Sequence, residues 1–231
     1  LRKKFYLVLD VETANSTDDP LVYDIGGAVC DKRGNIFDTF SFVISDIFDG
    51  ERKLMENAYY CDKLELYYDG LAKGLFIKKT LFEAKQHITQ LVKSYGIQEV
   101  FAYNAHFDRT ALNKTQRWLT KSKYRYFLPY GTKVHCIWHM ACQVICTQRT
   151  YARWCVNNGL YKEKSGNLFT NAETVYAYIS NQDHFEEQHT GLSDVLIEVE
   201  ILAHCFRQHK AMDRSINRLC WRIPQLKSVA E

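Results

Sequence analysis

The sequence predicts an α/β domain in which helices flank a mixed five-stranded sheet. A nearly continuous apolar run at residues 5–11 suits a strand covered on both faces. Residues 22–30 and 36–44 follow as two further strands across the turn-like Asp31-Lys32-Arg33-Gly34-Asn35, so the chain opens as an antiparallel meander. Beyond the meander, helical periodicities alternate with short apolar runs, the order that builds a sheet with helices packed on it.

Each later element has its own signal. Residues 51–74 have an irregular helical pattern, whereas 81–95 are cleanly amphipathic and stop before Gly96. A short strand is expected at 100–103 and a helix at 107–119. Pro129 and Gly131 then break the chain ahead of a short strand at 133–137. Helices are expected at 138–147, 151–157 and 172–179, and a long one at 192–206.

Composition narrows the function classes. With 46% hydrophobic and 25% charged residues among 231, the chain has the proportions of an ordinary globular domain rather than a disordered or fibrous one. No apolar run approaches the roughly 18 residues of a membrane span, which argues against a membrane protein. No linker or internal repeat divides it, so one domain is expected. The net charge of +3 is too small to imply an anionic partner, and charge distribution has to carry that argument. The eight cysteines sit largely among apolar neighbours, which suggests reduced thiols and a cytoplasmic location. Leu1-Arg2-Lys3-Lys4 leads directly into a strand with no visible signal peptide, although a first residue other than Met is compatible with trimming.

Carboxylates at the ends of apolar elements are the chemical signal. Asp10 and Glu12 close the first strand, and a period of two puts them on one face. On a surface strand such a pair is ordinary solvation. At the mouth of a buried strand, close like charges are costly unless a cation binds them, and a divalent metal is the natural partner. In the last helix Leu192, Val195, Leu196, Val199, Leu202, Ala203 and Phe206 form one apolar stripe and Ile197, Ile201 and Cys205 another. Asp194 lies in line with the second stripe, facing either a metal or phosphate cleft or simply the positive end of the helix dipole. His189 precedes it on a loop, where a lone histidine usually has no special role. Asp108 follows Asn104-Ala105-His106-Phe107 at a strand-to-helix junction and has the same two readings.

Taken together, Asp10-Val11-Glu12-Thr13, Asn104-Ala105-His106-Phe107-Asp108 and His189-Thr190-Gly191-Leu192-Ser193-Asp194 resemble the three motifs of the DEDDh, or DnaQ-like, 3′-5′ exonuclease superfamily, in the same order and contexts. The five-residue step from His189 to Asp194 is similar to the histidine subtype. The run Glu186-Glu187-Gln188-His189-Thr190-Gly191-Leu192 is similar to stand-alone exonucleases encoded by bacteriophages, which implies a host-cytoplasmic enzyme. The resemblance implies a ribonuclease H-like fold over residues 1–209, with 210–231 as a C-terminal extension. It also implies two divalent cations, Mg²⁺ or Mn²⁺, held by Asp10, Glu12, Asp108 and Asp194, with His189 as general base. Thr13, Asn104 and Phe107 would touch the terminal nucleotide. A nucleic-acid substrate with a single-stranded 3′ end is implied, DNA before RNA, in replication or repair, with a polymerase partner left open. Two departures touch the substrate contacts: Ala14-Asn15 stands where many members have Thr-Gly, and Cys136-Ile137 where many have an Asp-Thr or Asp-Ser pair.

One further signal belongs to this chain. Residues 109–135 carry seven basic side chains and no acid, interleaved with aromatics. Arg117, Lys121, Lys123 and Arg125 can hold phosphates while Trp118 and Tyr124 stack on bases. The plainer reading is a solvated helix face followed by a packed loop. Residues 210–231, with Trp221, Arg214, Arg218, Arg222 and Lys227, could pack on the domain, bind a partner or extend a groove, and the sequence does not choose. Two competing functions remain: an inactive nucleic-acid-binding adaptor on the same fold, and a zinc-stabilised module built from His135, His139, Cys142 and Cys146, with Cys155 as a further candidate.

Overall fold

Alternation of the first strand between two different cores sets the architecture. In the computed structural model, which describes residues 3–56, 58 and 61–226, β1 (Tyr6–Ala14) sends Leu7, Leu9 and Val11 into one apolar cluster and Tyr6 and Val8 into another. Both faces are therefore dry, which explains the continuous apolar run. Side chains such as Leu7, Val8 and Leu9, at 1% exposure or less, each contribute roughly 1.5–3 kcal/mol by burial.

β2 (Leu21–Cys30) and β3 (Ile36–Ile44) complete the antiparallel meander beside β1. The chain then runs through two short helices, α1 (Ser45–Phe48) and α2 (Arg52–Glu56), and on to α3 (Leu64–Ala72) and strand β4 (Ile77–Lys79). Next comes α4 (Leu81–Tyr95), closed at its start by a Thr80–Glu83 capping box and at its end by Gly96 at φ 64°. β5 (Glu99–Ala102) leads into α5 (Ala105–Thr120), and β6 (Lys133–Cys136) into α6 (Ile137–Val144) and α7 (Arg149–Asn157). A small hairpin of β7 (Tyr161–Lys162) and β8 (Asn167–Leu168), then α8 (Ala172–Ile179) and α9 (Gly191–Arg207), complete the regular elements.

The sheet order is β4-β3-β2-β1-β5-β6, with β5 and β6 parallel to β1. The expected mixed α/β sheet flanked by helices is present, with six strands rather than five. The extra one, β4, is a three-residue edge strand containing two lysines, too short and too charged to read as a strand, as edges that must not aggregate often are. One detail of the last helix also differs from expectation. Leu196 is 40% exposed, because it shares the solvent face of α9 with Glu200, while Val195, Val199 and Leu202 face the sheet side.

Residues 210–226 lie on the body of the fold. The Arg214 carbonyl accepts from the Cys136 N–H at 3.0 Å, His139 Nδ1 donates to the Ser215 carbonyl at 2.8 Å, and Leu226 N–H donates to Gly166 at 3.0 Å. Cys220 is fully buried. Lys227, counted among the basic residues of this segment, lies outside the described residues, as do Leu1 and Arg2. All eight cysteines are free thiols, and only Cys61 is exposed. Among the described residues no helix is long and apolar enough to cross a membrane.

Candidate active site

Three elements meet at the carboxyl end of β1. Asp10 and Glu12 share the face that carries Tyr6 and Val8, so they point toward α9. A bulge between Glu12 and Thr13 shifts the register with β2, which resumes at Thr13–Val22. Asp108 sits in the first turn of α5, immediately after β5, and its carboxyl accepts backbone hydrogen bonds at Val11 and at its own N–H. Asp194 sits in the first turn of α9, accepting from Ser193 Oγ at 3.1 Å and from the His189 backbone.

The position of α9 depends on two glycines. A Cβ on Gly26 would lie 1.9 Å from the Gly191 carbonyl carbon, so helix and strand backbones touch there and neither residue can carry a side chain. Asp24, paired with Glu12 across the strands, locks this contact: its Oδ2 accepts from the Gly191 N–H at 2.9 Å and from the Tyr67 hydroxyl at 2.7 Å. Burial pushes the Asp24 carboxyl up to about 6, against the lowering effect of those two hydrogen bonds.

The result is a cavity of about 390 Å³ whose walls include Asp10, Glu12, Asp108, Asp194, Glu187, Glu198 and His189. Glu12, Asp108, Asp194 and Glu198 are buried, the last at only 3% exposure. Burial drives their pKa values up: Asp194 to about 6, Asp108 to about 7 and Glu12 to about 9, where the Asp194 and Asp24 charges add to the effect. Glu187 rises to about 8 through burial and the Asp194 charge. Asp10 and Glu198 are likewise raised well above the ordinary carboxylate range, by burial first and then by neighbouring carboxylates. The charge of Lys63 opposes the rise at Asp194 and Glu187, and among the described residues Glu198 Oε2 is buried without a hydrogen-bond partner. Hard oxygen donors, crowded and desolvated, suit Mg²⁺ or Mn²⁺.

His189 adopts φ 53°, a conformation strained for a residue with a Cβ, just before the Thr190 cap of α9. Its Nδ1 lies 3.7 Å from Glu187 Oε2 and 4.0 Å from Asp194 Oδ2. Its pKa is lowered, by burial first and then by the charge of Lys63. Among the described residues, ligand atoms converge within 4.8 Å in two groups, Glu12–His189–Asp194 and Glu173–Glu187–His189. Neither contains the proposed zinc residues. His135 instead faces Glu99 at 3.3 Å, His139 holds Ser215, and Cys142, Cys146 and Cys155 lie in the core.

Of the residues expected at the terminal nucleotide, Asn104 and Phe107 line the cavity and Thr13 does not. Asn15, standing where many of the exonucleases have glycine, takes the glycine-like φ of 69°, which asparagine tolerates. Arg117, Trp118, Lys121, Lys123, Tyr124 and Arg125 lie outside the cavity wall. Arg117 Nε donates to the Arg125 carbonyl at 3.3 Å, Lys121 lies over the Trp118 ring and Lys123 over the Tyr124 ring. Of the aromatics interleaved with these basic residues, Phe127 is a core residue at 1% exposure, whereas Trp118 and Tyr124 are exposed.

Two acids of the cavity were not identified in the sequence reading. Glu198 stands four residues after Asp194 on the same helix face, a spacing that could have flagged it. Glu187 lies in a loop without periodicity and had no such signal.

Among solved structures the chain is similar to exonuclease I of E. coli in complex with a 5cy-dT13 oligonucleotide, at 11% identity over 86% of this chain and 39% of that one, with a TM-score of 0.47. It is also similar to a product-bound exonuclease I, at 11% identity over 87% and 42% of the two chains and a TM-score of 0.46. The chain spans about two fifths of the length of these proteins. No family model and no curated protein matches it. At this level of similarity, a functional reading rests on the cavity itself.

Proposed function

We propose that the chain is a metal-dependent 3′-5′ exonuclease that removes nucleotides from the 3′ end of nucleic acid, single-stranded DNA by preference. The convergence of Asp10, Glu12, Asp108 and Asp194, from three distant parts of the chain, with His189 on the wall of one cavity carries this reading. Two divalent cations supply, when bound, the positive charge that relieves the phosphoryl oxygens and acidifies an attacking water. Asp10, Glu12, Asp108 and Asp194 would hold these cations, and Glu12, Asp194 and His189, whose ligand atoms converge within 4.8 Å, would face the attacking water. His189 takes the proton of that water. Its lowered pKa keeps the imidazole neutral, and so basic, at pH 7. As the water oxygen bonds to phosphorus, the bond to the 3′ oxygen of the penultimate nucleotide breaks, and a nucleoside 5′-monophosphate leaves. Asn104 and Phe107 bound the space for that terminal nucleotide.

The test is digestion of matched DNA and RNA, single and double stranded, labelled at either end, with Mg²⁺ and with Mn²⁺. Stepwise shortening from the 3′ end of single-stranded DNA supports the proposal. Internal cleavage, shortening from the 5′ end, or the absence of any hydrolysis overturns it.

A further inference from the structure

The C-terminal segment, whose role the sequence leaves open, brings a cation to the edge of the acidic cavity. Its anchors lie on both sides of residue 218: Arg214 pairs with Glu99 at 3.4 Å, Asn217 Nδ2 donates to His139 Nε2 at 3.4 Å, and Cys220 is fully buried. Between them, Arg218 reaches a second cavity of about 380 Å³, lined also by Thr17, Asp18, His106 and Thr110. Asn104, Phe107 and Trp138 line both cavities, so the two are neighbours across a shared wall.

The two neighbours differ in charge. The first gathers carboxylates, whereas the second offers a guanidinium, an imidazole and two hydroxyls against one carboxylate, Asp18. Arg218 is exposed and makes no ion pair or hydrogen bond among the described residues. An unpaired guanidinium beside hydroxyl groups is suited to a phosphate. A strand with its last phosphodiester at the acidic cavity must place its next phosphate within one nucleotide of that point.

We propose that this second cavity is a subsite for the next backbone phosphate toward the 5′ end of the substrate, held by Arg218 of the C-terminal segment with Thr17, His106 and Thr110 around it. The inference rests on the exonuclease reading and deepens it. The C-terminal segment then forms part of the substrate groove, and the enzyme prefers strands long enough to fill both cavities.

Affinity measured against strand length tests this. Binding of thymidine 5′-monophosphate and of the trinucleotide and decanucleotide of thymidine would be measured in Ca²⁺ across a salt series, for wild type, Arg218→Ala and Arg218→Lys. The wild type should gain affinity from mononucleotide to trinucleotide, and Arg218→Ala should lose about tenfold of that gain. Its salt slope for the trinucleotide should fall by about 0.7, one phosphate contact on a single strand. Arg218→Lys should recover most of the slope, which a merely structural role would not produce. An unchanged length gain and slope in Arg218→Ala, with wild type still shortening DNA, overturns the subsite alone. A wild type that binds neither nucleotide nor strand overturns the exonuclease reading and the subsite with it.

Discussion

The two ends of α5 carry the same kinds of sequence signal and have different fates. Asp108 in the first turn and Arg117 in the last both match the ordinary pairing of charge with the helix dipole. Asp108 is nevertheless buried at 5% exposure on the wall of the acidic cavity, where dipole stabilisation alone does not account for it. Arg117 lies nine residues on, about 13 Å along the axis, only half-buried and bonded to the Arg125 carbonyl. The contrast shows that charge composition does not locate a site. Burial against side chains from other parts of the chain does, and only the Asp108 end meets β1 and α9.

The largest effects should therefore fall at the acidic end. Asp10→Asn, Glu12→Gln, Asp108→Asn and Asp194→Asn should each slow hydrolysis by about 10²-fold or more, while apo-protein melting temperatures hold or rise because a desolvated like charge is gone. Near wild-type rates in two folded variants of the four would break the assignment. Next, His189→Ala should lose about 10²–10⁴-fold in kcat and keep its Mn²⁺ affinity. The wild-type rate should climb with pH through a value below the ordinary 6.5 of histidine. An alanine variant with the wild-type pH profile would show that the base lies elsewhere.

Stability should respond to pH in the direction set by the raised carboxyl groups. Their unfolded values lie near 3.8 for Asp and 4.5 for Glu, and their folded values at about 6 for Asp194, 7 for Asp108, 8 for Glu187 and 9 for Glu12. The folded state binds these protons more tightly, so its advantage is complete below about pH 4 and is lost as pH rises through 6 to 9. Apo-protein should melt at lower temperature at pH 8 than at pH 5, and Mn²⁺ should narrow the gap. A flat profile without metal would contradict the burial of these groups.

Glu198→Gln sharpens the comparison further, because it removes a charge from the cavity without shortening the side chain. It should raise apo stability and weaken Mn²⁺ binding by about tenfold, read by calorimetry. The smallest effect belongs to the far end of α5. Neutralising Arg117, Lys121, Lys123 and Arg125 together should leave trinucleotide binding unchanged. For a long strand, it should lower the salt slope by about 0.7 for each phosphate contacted. An effect on the trinucleotide would mean that the groove runs along this end after all.

Much of the fold was legible because periodicity records burial. The spans expected for β3, α4 and α8 match the observed elements residue for residue, each having an apolar pattern bounded by a turn, a cap or a glycine. β4 and the hairpin of β7 and β8 were missed because two or three residues carry no period. At the site, Asp10, Glu12, Asp108, His189 and Asp194 were legible as motifs, and the fold brings them to one cavity. What holds them there was not. The Gly26–Gly191 backbone contact and the Asp24–Tyr67 hydrogen bond join residues far apart in sequence. Neither has any local pattern, and the second cavity beside Arg218 forms only once the C-terminal segment is laid down.

The claim on which the rest depends is that these buried acids form a divalent-cation centre. Calorimetric titration of Mn²⁺ into the wild type and into Asp10→Asn at pH 7.5 tests it most directly. The account predicts about two ions bound per wild-type chain with a matching rise in melting temperature, and loss of at least one ion in Asp10→Asn. A wild type that binds no Mn²⁺, or an Asp10→Asn protein that binds it with the same stoichiometry and affinity, would contradict it.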